Sequence, residues 1–411
     1  MRTFARLTAL SCFLALGSSF AATGCGSSAD NNSPAGPKIL SVQPTVSPEN
    51  VLAYTLTVDT DKETTISVKV TPDDTSVDPW TIAGPATAAM QNQVVIAGLR
   101  AESKYALEVT ATDAGGRSAV DDSQTLTTDP LPAELPPIKV TNNDPSRMAP
   151  GNTLFDIFGW VPGGGPDLQS GWLVMLDPDG QVVWYAHTHN RAEDARLMPD
   201  GNIGYSYAGE DNDGFIELDQ TSQQVNQWVA SALPSKKVPA GAIKVNVDSI
   251  HHEVFPMPNG NYLTLAPEMR QIDQTTCPNY TGTLNVVADD IVEFDPKTGD
   301  VVNKVSEFDF LDPCRRTDHG FEAGFWDTLY GGITTQDMTH SNAVIYDAKR
   351  KMVLVSVRHQ DWVIGLSWPP SGNAQNDVAW LLGPEGTTGD YGSYKHFTPQ
   401  GSPFDWQYHQ H

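Results

Sequence analysis

Apolar side chains recur at every second position in Tyr54-Thr-Leu-Thr-Val-Asp59 and again in Thr65-Ile-Ser-Val-Lys-Val70. A period of two puts one set of side chains on a single face of an extended chain, so both stretches predict half-buried β-strand. Gly98-Leu-Arg-Ala-Glu-Ser-Lys-Tyr105 leads into another alternating run, which ends at Asp113 before Gly115-Gly116. Further on, one pattern recurs: apolar alternation, an Asp/Asn-Gly turn, then apolar alternation again. It is present in Leu173-Val-Met-Leu-Asp-Pro-Asp-Gly-Gln-Val-Val-Trp184 and in Ile291-Val-Glu-Phe-Asp-Pro-Lys-Thr-Gly-Asp-Val-Val-Asn-Lys304. Phe215-Ile-Glu-Leu-Asp-Gln-Thr-Ser-Gln-Gln-Val-Asn-Gln-Trp228 has the same form. A second unit also repeats, since Leu197-Met-Pro-Asp-Gly-Asn-Ile-Gly-Tyr-Ser206 matches Pro256-Met-Pro-Asn-Gly-Asn-Tyr-Leu-Thr-Leu265. Each unit reads as two short strands joined by a tight turn.

These patterns predict an all-β chain with two domains. Residues 38–128 read as a β-sandwich. Leu99 six residues before Tyr105, followed by an alternating strand, is the tyrosine-corner spacing of immunoglobulin-like sandwiches, and the segment resembles a fibronectin type III module. It carries no chemistry and reads as a spacer or docking domain. Asp129-Pro-Leu-Pro-Ala-Glu-Leu-Pro-Pro137 opens a proline-rich linker over 129–149. From 150 to 411, the repeated strand-turn-strand units predict a β-propeller with large loops inserted between blades, whose inner strands converge on a central channel.

The N-terminus adds a compartment. Met1-Arg-Thr-Phe-Ala-Arg6 is basic, 7–20 is mostly apolar but short, and Ala22-Thr-Gly-Cys25 follows. This resembles a bacterial lipobox, with 1–24 as signal peptide, Cys25 as lipid anchor and 25–37 as a polar tether. The expected location is extracytoplasmic, periplasmic or at the cell surface, anchored to a membrane. Cys277 and Cys314 then remain as an even pair in an oxidising compartment, and a disulfide is expected. The formal net charge of −25 excludes nucleic acid as a partner and disfavours anionic lipid surfaces. It also obliges any site for an anion to supply its own cations.

Four clusters could carry chemistry: Ile250-His-His-Glu253, Asp337-Met-Thr-His-Ser-Asn342, Ser356-Val-Arg-His-Gln360, and the terminal Phe404-Asp-Trp-Gln-Tyr-His-Gln-His411. In the earlier repeat, Ala192-Glu-Asp-Ala-Arg196 occupies the place of the paired histidines, so the repeat itself does not require histidine there. Arg358 and His359 are expected on opposite faces of one strand. Singly, each histidine has a structural explanation. Together, histidines and an arginine on separate blades point to a site.

The stretches Thr339-His-Ser-Asn-Ala-Val-Ile-Tyr-Asp-Ala-Lys, Val353-Leu-Val-Ser-Val-Arg-His-Gln360 and Val378-Ala-Trp-Leu-Leu-Gly383 resemble the bacterial arylsulfate sulfotransferase family. So do His251-His-Glu with its Pro-Asn-Gly-Asn turn and the terminal segment through His411. The resemblance runs from about residue 150 to the end. It implies a six-bladed propeller that moves a sulfuryl group from a phenolic sulfate ester to a phenol, with no cofactor and no metal, by a ping-pong route through a sulfohistidine. By motif, His411 would be the nucleophile, Arg358 would clamp sulfate oxygens, and His340 would bind the sulfuryl group. One of the paired histidines would complete the site, with His252 favoured over His251. Substrate binding would draw on His251, Asn342, Trp406 and Tyr408, and Tyr391 and Phe397 are further stacking candidates. The family continues past its nucleophile, so the propeller is expected to be C-terminally incomplete in this chain. A homodimer is compatible with the reading.

Two other readings stay open. A non-catalytic surface propeller could bind an anionic or glycan ligand. A metallohydrolase could use His251, His252, His340 and His411 with Glu253 or Asp337.

Overall fold

The computed structural model describes residues 35–144, 146–160, 166–188, 190–209, 211–278, 280–317, 322–384 and 391–397. The described chain is almost entirely β, as the alternation predicts; its α-helix is a single turn, Ala374–Asp377. It divides into two compact units, one reaching Leu154 and taking in Val174–Ala186, the other comprising Phe155–Leu173 and everything from His187 onward. The hairpin 174–186, expected with the second domain, belongs to the first unit. There Asn50 Nδ2 donates to Tyr185 O at 2.9 Å and Arg100 bonds Asp177 Oδ2 at 2.8 Å.

In the first unit, the two alternating stretches are halves of one 19-residue strand. Its strands are β1 (Ile39–Val46), β2 (Tyr54–Pro72), β3 (Trp80–Ala83), β4 (Ala89–Ile96), β5 (Lys104–Thr112) and β6 (Ser118–Thr127). The first half of β2 pairs with β1 and β4 and the second half with β3 and β5, the register breaking between Asp59 and Thr64. One strand thus serves two layers, and Leu56, Val58, Ile66, Val68, Val70, Val94 and Leu107 are buried between them. The tyrosine-corner spacing is realised as a bond from Arg100 N to the Tyr105 hydroxyl at 2.7 Å.

Beyond it, β7 (Thr153–Trp160), β8 (Pro166–Leu176) and β9 (Val182–Thr188) form a small sheet. Three antiparallel meanders of four consecutive strands follow. The first has β10 (Arg191–Leu197), β11 (Ile203–Ala208), β12 (Asp213–Leu218) and β13 (Gln224–Ala230), with the short β14 (Ile243–Val245) added in parallel. The second has β15 (His251–Pro256), β16 (Tyr262–Ile272), β17 (Leu284–Phe294) and β18 (Val301–Ser306), with β19 (Glu322–Ala323) and β20 (Thr335–Asp337) extending it along β17. The third has β21 (Ser341–Asp347), β22 (Met352–Val357), β23 (Trp362–Ser367) and β24 (Val378–Leu382). These are the blades foreshadowed by the repeat.

The repeated turns have a shared cause. Asp200 Oδ1 accepts from Asn202 N at 3.0 Å, and Asn259 Oδ1 accepts from Asn261 N at 3.0 Å. The side chain thereby closes the turn on its own backbone. The intervening Gly201 and Gly260 have φ of 92° and 89°, a region that costs any other L-residue but not glycine. Blades then stack through apolar faces: Phe215, Trp228, Val254, Val292 and Phe294 between the first and second, and Leu263, Ile291, Val344, Val355 and Ile364 between the second and third.

Candidate active site

The leading strands of the three blades lie side by side and are tied together by buried carboxylates. Glu253 at the start of β15 forms an ion pair with Arg196 of β10 and accepts from Val344 N of β21 at 2.8 Å. Ser206 Oγ of β11 donates to His252 O at 2.7 Å. Asp289 of β17 accepts from Ser341 N at 2.6 Å and from Thr339 Oγ1 at 2.9 Å. A residue in the left-handed region lies within or just before each leading strand: Asp194 (φ 44°), His252 (φ 59°) and His340 (φ 44°). The ladder shifts register close by, between Glu193 and Ala195, His251 and Val254, and Ser341 and Ala343. A bulge re-aims side chains off the regular two-face alternation, and non-glycine residues held at positive φ concentrate at functional sites. Two of the three here are histidines of the expected site.

Four histidine rings form one continuous group. His251 and His252 share a bond, Nδ1 to Nδ1, of 2.8 Å. The His252 ring lies 5.2 Å from that of His340, edge to face, and the His340 ring lies 5.1 Å from that of His359. Carboxylates hold both ends. His251 Nε2 is 3.0 Å from Asp289 Oδ1, and His340 Nδ1 is 2.5 Å from Asp337 Oδ2. His359 Nδ1 donates to the Asp337 main-chain carbonyl at 2.9 Å. Phe325 and Trp326 cover the group, with Phe325 4.5 Å from the His340 ring and Trp326 5.2 Å from that of His251. The Trp326 indole N–H is buried and has no hydrogen-bond partner among the described residues. A cavity of about 260 Å³ opens against His251, His252, Phe325 and Trp326, with Arg191 and Lys236 on its walls.

Electrostatics separate the histidines. Burial opposes the charged form of His251, but the Asp289 carboxylate beside it prevails, and its pKa is raised above the ordinary histidine value. Asp289 is the counterpart: burial pushes it up, His251 and the Ser341 N–H pull it down, and it ends below the usual carboxylate range. Burial lowers His359; Asp337 opposes this, while His340 and Arg358 add to it. Glu307, fully buried and bonded to Ser341 Oγ at 2.7 Å, is raised well above its ordinary value by burial and by Asp289.

The sequence-predicted residues fall into three sets. His251, His252 and His340 come together as described. Asn342 is buried two residues beyond His340. Arg358 and His359 do not alternate on a strand: β22 ends at Val357, and Arg358–Gln360 is one turn of 3₁₀ helix. That turn exists because its backbone and side chains bond the Asp337–Thr339 segment instead of a neighbouring strand, through His359 N to Thr339 O at 2.9 Å and Gln360 Nε2 to Met338 O at 2.7 Å. His359 therefore stays beside His340. Tyr391 and Phe397 lie elsewhere. Tyr391 stacks on His396 at 4.0 Å and on Trp362 at 5.9 Å, and Phe397 packs on Trp380. Among the described residues, the aromatic side chains that meet the histidines of the cluster are Phe325 and Trp326, from a stretch with no periodicity to flag it. Cys277 and Cys314 are bonded, S–S 2.06 Å. Cys25, Trp406, Tyr408 and His411 lie outside the described residues. Asp289 left a trace in the sequence: an ionisable pair inside the apolar run Val286-Val-Ala-Asp-Asp-Ile-Val292.

Asp337, His340 and His359 each bring a donor atom within 4.8 Å of the others, close enough for a cation among the described residues. His340 Nδ1 already bonds Asp337 Oδ2 and His359 Nδ1 the Asp337 main-chain carbonyl, and we assign these groups a hydrogen-bonding role.

The model of the arylsulfotransferase (ASST) family matches residues 166–411, more than half of the chain. The chain belongs to the arylsulfotransferase family. Membership carries aryl sulfates and phenols as the substrate class, and the matched span contains every histidine of the cluster. No curated protein matches the chain significantly. Solved structures similar to parts of it include a protein of unknown function from Bacteroides caccae, at 10% identity and TM-score 0.29, covering 78% of this chain and 73% of that one. They also include MPT-4, a mannose phosphorylase from Leishmania mexicana, at 9% identity and TM-score 0.28, covering 77% and 82%. The periplasmic gluconolactonase PpgL of Pseudomonas aeruginosa is a third, at 10% identity and TM-score 0.24, covering 80% and 98%.

Proposed function

We propose that this arylsulfotransferase-family protein moves a sulfuryl group from an aryl sulfate to a phenol in two displacements, through a sulfohistidine on His411. What supports the reading is the convergence of His252, His340, His359 and the Arg358 turn on one locus, next to Phe325 and Trp326 and a cavity of about 260 Å³. Sulfuryl transfer spreads negative charge over equatorial oxygens, as phosphoryl transfer does, and fixed cationic donors stabilise it. Arg358 and His340 take that role. The His411 imidazole attacks sulfur, an N–S bond forms and the aryl O–S bond breaks. His252 protonates the departing phenolate and later deprotonates the incoming phenol. The −25 envelope repels a sulfate ester, so these cations supply the local attraction. We place the protein outside the cytoplasm, held to a membrane through Cys25.

The test is release of 4-nitrophenol from 4-nitrophenyl sulfate, with and without phenol, in excess chelator. Release that accelerates with phenol and survives the chelator is expected. Arg358→Ala should cost about 10²–10³-fold in kcat, the usual loss for an oxyanion donor. Full turnover by Arg358→Ala, or hydrolysis indifferent to phenol, would overturn the assignment.

A further inference from the structure

We propose that Asp289, His251 and His252 form a proton relay in which Asp289 and His251 are positioning residues that switch His252 between acid and base; this rests on the sulfuryl-transfer reading above. The bonds fix the direction. Asp289 Oδ2 accepts from Thr339 Oγ1 at 2.9 Å and from Ser341 N at 2.6 Å, while Oδ1 lies 3.0 Å from His251 Nε2. An ionised carboxylate only accepts, so His251 Nε2 carries a proton. The other His251 nitrogen, Nδ1, meets His252 Nδ1 at 2.8 Å. Both nitrogens of His251 are thus committed within the protein, and the pair reaches substrate through His252.

Only one proton can occupy that Nδ1–Nδ1 contact, and its position sets the tautomer of His252. When it sits on His251, that ring is imidazolium beside the Asp289 carboxylate, and His252 carries its own proton on Nε2, as an acid. When it sits on His252, His251 is neutral and His252 Nε2 holds a lone pair, as a base. In the first displacement the aryl O–S bond breaks, the Nε2 proton of His252 goes to the phenolate oxygen, and the Nδ1 proton of His251 passes to His252. The relay loses one proton and the phenol gains it. In the second displacement the acceptor's O–H proton goes to His252 Nε2, the Nδ1 proton returns to His251, the phenol oxygen bonds sulfur and the N–S bond breaks. The elevation of His251 by Asp289 fits a ring that holds the proton in the resting state.

The fold builds this pair on purpose-shaped backbone. His252 is held at φ 59°, and its N–H faces Glu193 Oε2 at 3.4 Å. Among the described residues, the other charged or titratable groups facing the pair are Asp337, His340 and, across the cavity, Arg191, Lys236, Asp211 and Asp213.

Nitrogen-15 NMR of the full chain labelled at histidine, with His251→Asn and His252→Asn spectra for assignment, reads the relay directly. Expected is a His252 tautomer that inverts from Nδ1–H to Nε2–H as His251 takes up its proton, and an earlier loss of the His251 proton in Asp289→Asn. A His252 tautomer that stays fixed while His251 titrates would overturn the relay. The kinetic readout is dependence on the leaving group. Asp289→Asn should lose about 10²-fold on phenyl sulfate and clearly less on 4-nitrophenyl sulfate, whose phenolate needs little acid help. An equal loss on both esters would reduce Asp289 to a structural role. His251→Gln repeats the kinetic comparison should Asp289→Asn fail to fold. If no ester is turned over by any form, the sulfuryl-transfer reading fails, and the NMR titration still decides the relay.

Discussion

Arg196 and Glu253 show how a single pair joins blades. Both side chains are nearly buried, at 10% and 7% exposure. A buried ion pair barely repays its desolvation, but removing one partner strands the other, at a cost of about 3–5 kcal/mol. Arg196→Met should therefore lower the denaturation free energy by that order at pH 8. Burial lifts the Glu253 carboxyl to about 7 against the pull of Arg196. The deficit in Arg196→Met should shrink as pH falls and the carboxyl takes up a proton, and chemical denaturation at pH 8 and pH 6 checks it. In the sequence this contact was invisible. Arg196 and Glu253 could be matched as members of two repeats, but a repeat says which positions are equivalent and not which ones touch.

At the scale of an element, Glu293 on β17 fixes the turn of the second blade from outside the turn. Its carboxylate accepts from Asn259 at 2.8 Å, Asn261 at 2.6 Å, Asn303 at 2.7 Å and the indole of Trp368 at 2.7 Å. Burial works against its charge, yet these four donors hold the pKa below the ordinary 4.5. A depressed folded pKa gives stability that is present above the unfolded value and lost as pH falls through the folded one. Glu293→Gln should cost about 1.5–3 kcal/mol at pH 7, the worth of hydrogen bonds to a charged group, and should flatten the acid side of the stability profile below pH 4.5. Thermal unfolding from pH 7 to pH 3 measures both. The strands and the Asp/Asn-Gly turns were legible because their causes are local: alternation, side-chain acceptors and glycine conformations. The 3₁₀ turn Arg358–Gln360 was not, because long-range bonds to Met338 and Thr339 take the chain out of the strand that Val353-Leu-Val-Ser-Val357 begins.

At the scale of the molecule, the Cys277–Cys314 bridge closes a loop of 37 residues over the second blade, spanning β17 and β18. Cross-linking a loop of that length stabilises by about 3–4 kcal/mol in the chain-entropy model. Reductant should lower the unfolding midpoint of the second unit accordingly, and a Cys277→Ser, Cys314→Ser double variant should reproduce the loss without responding to reductant. An unchanged midpoint would show that native contacts alone restrain the loop.

By itself, the sequence determined the all-β class, the repeat of strand, turn and strand, and the residue types that carry the chemistry. Those follow from neighbours in the chain and from motifs that survive as strings. Only the tertiary structure decided that the histidines form one group, that Asp289 and Asp337 hold it, and that Phe325 and Trp326 cover it while Tyr391 and Phe397 pack elsewhere. Each of these depends on contacts between segments far apart in the chain, such as the 38 positions separating His251 from Asp289. No local pattern encodes such contacts; stacking of the apolar blade faces brings them together.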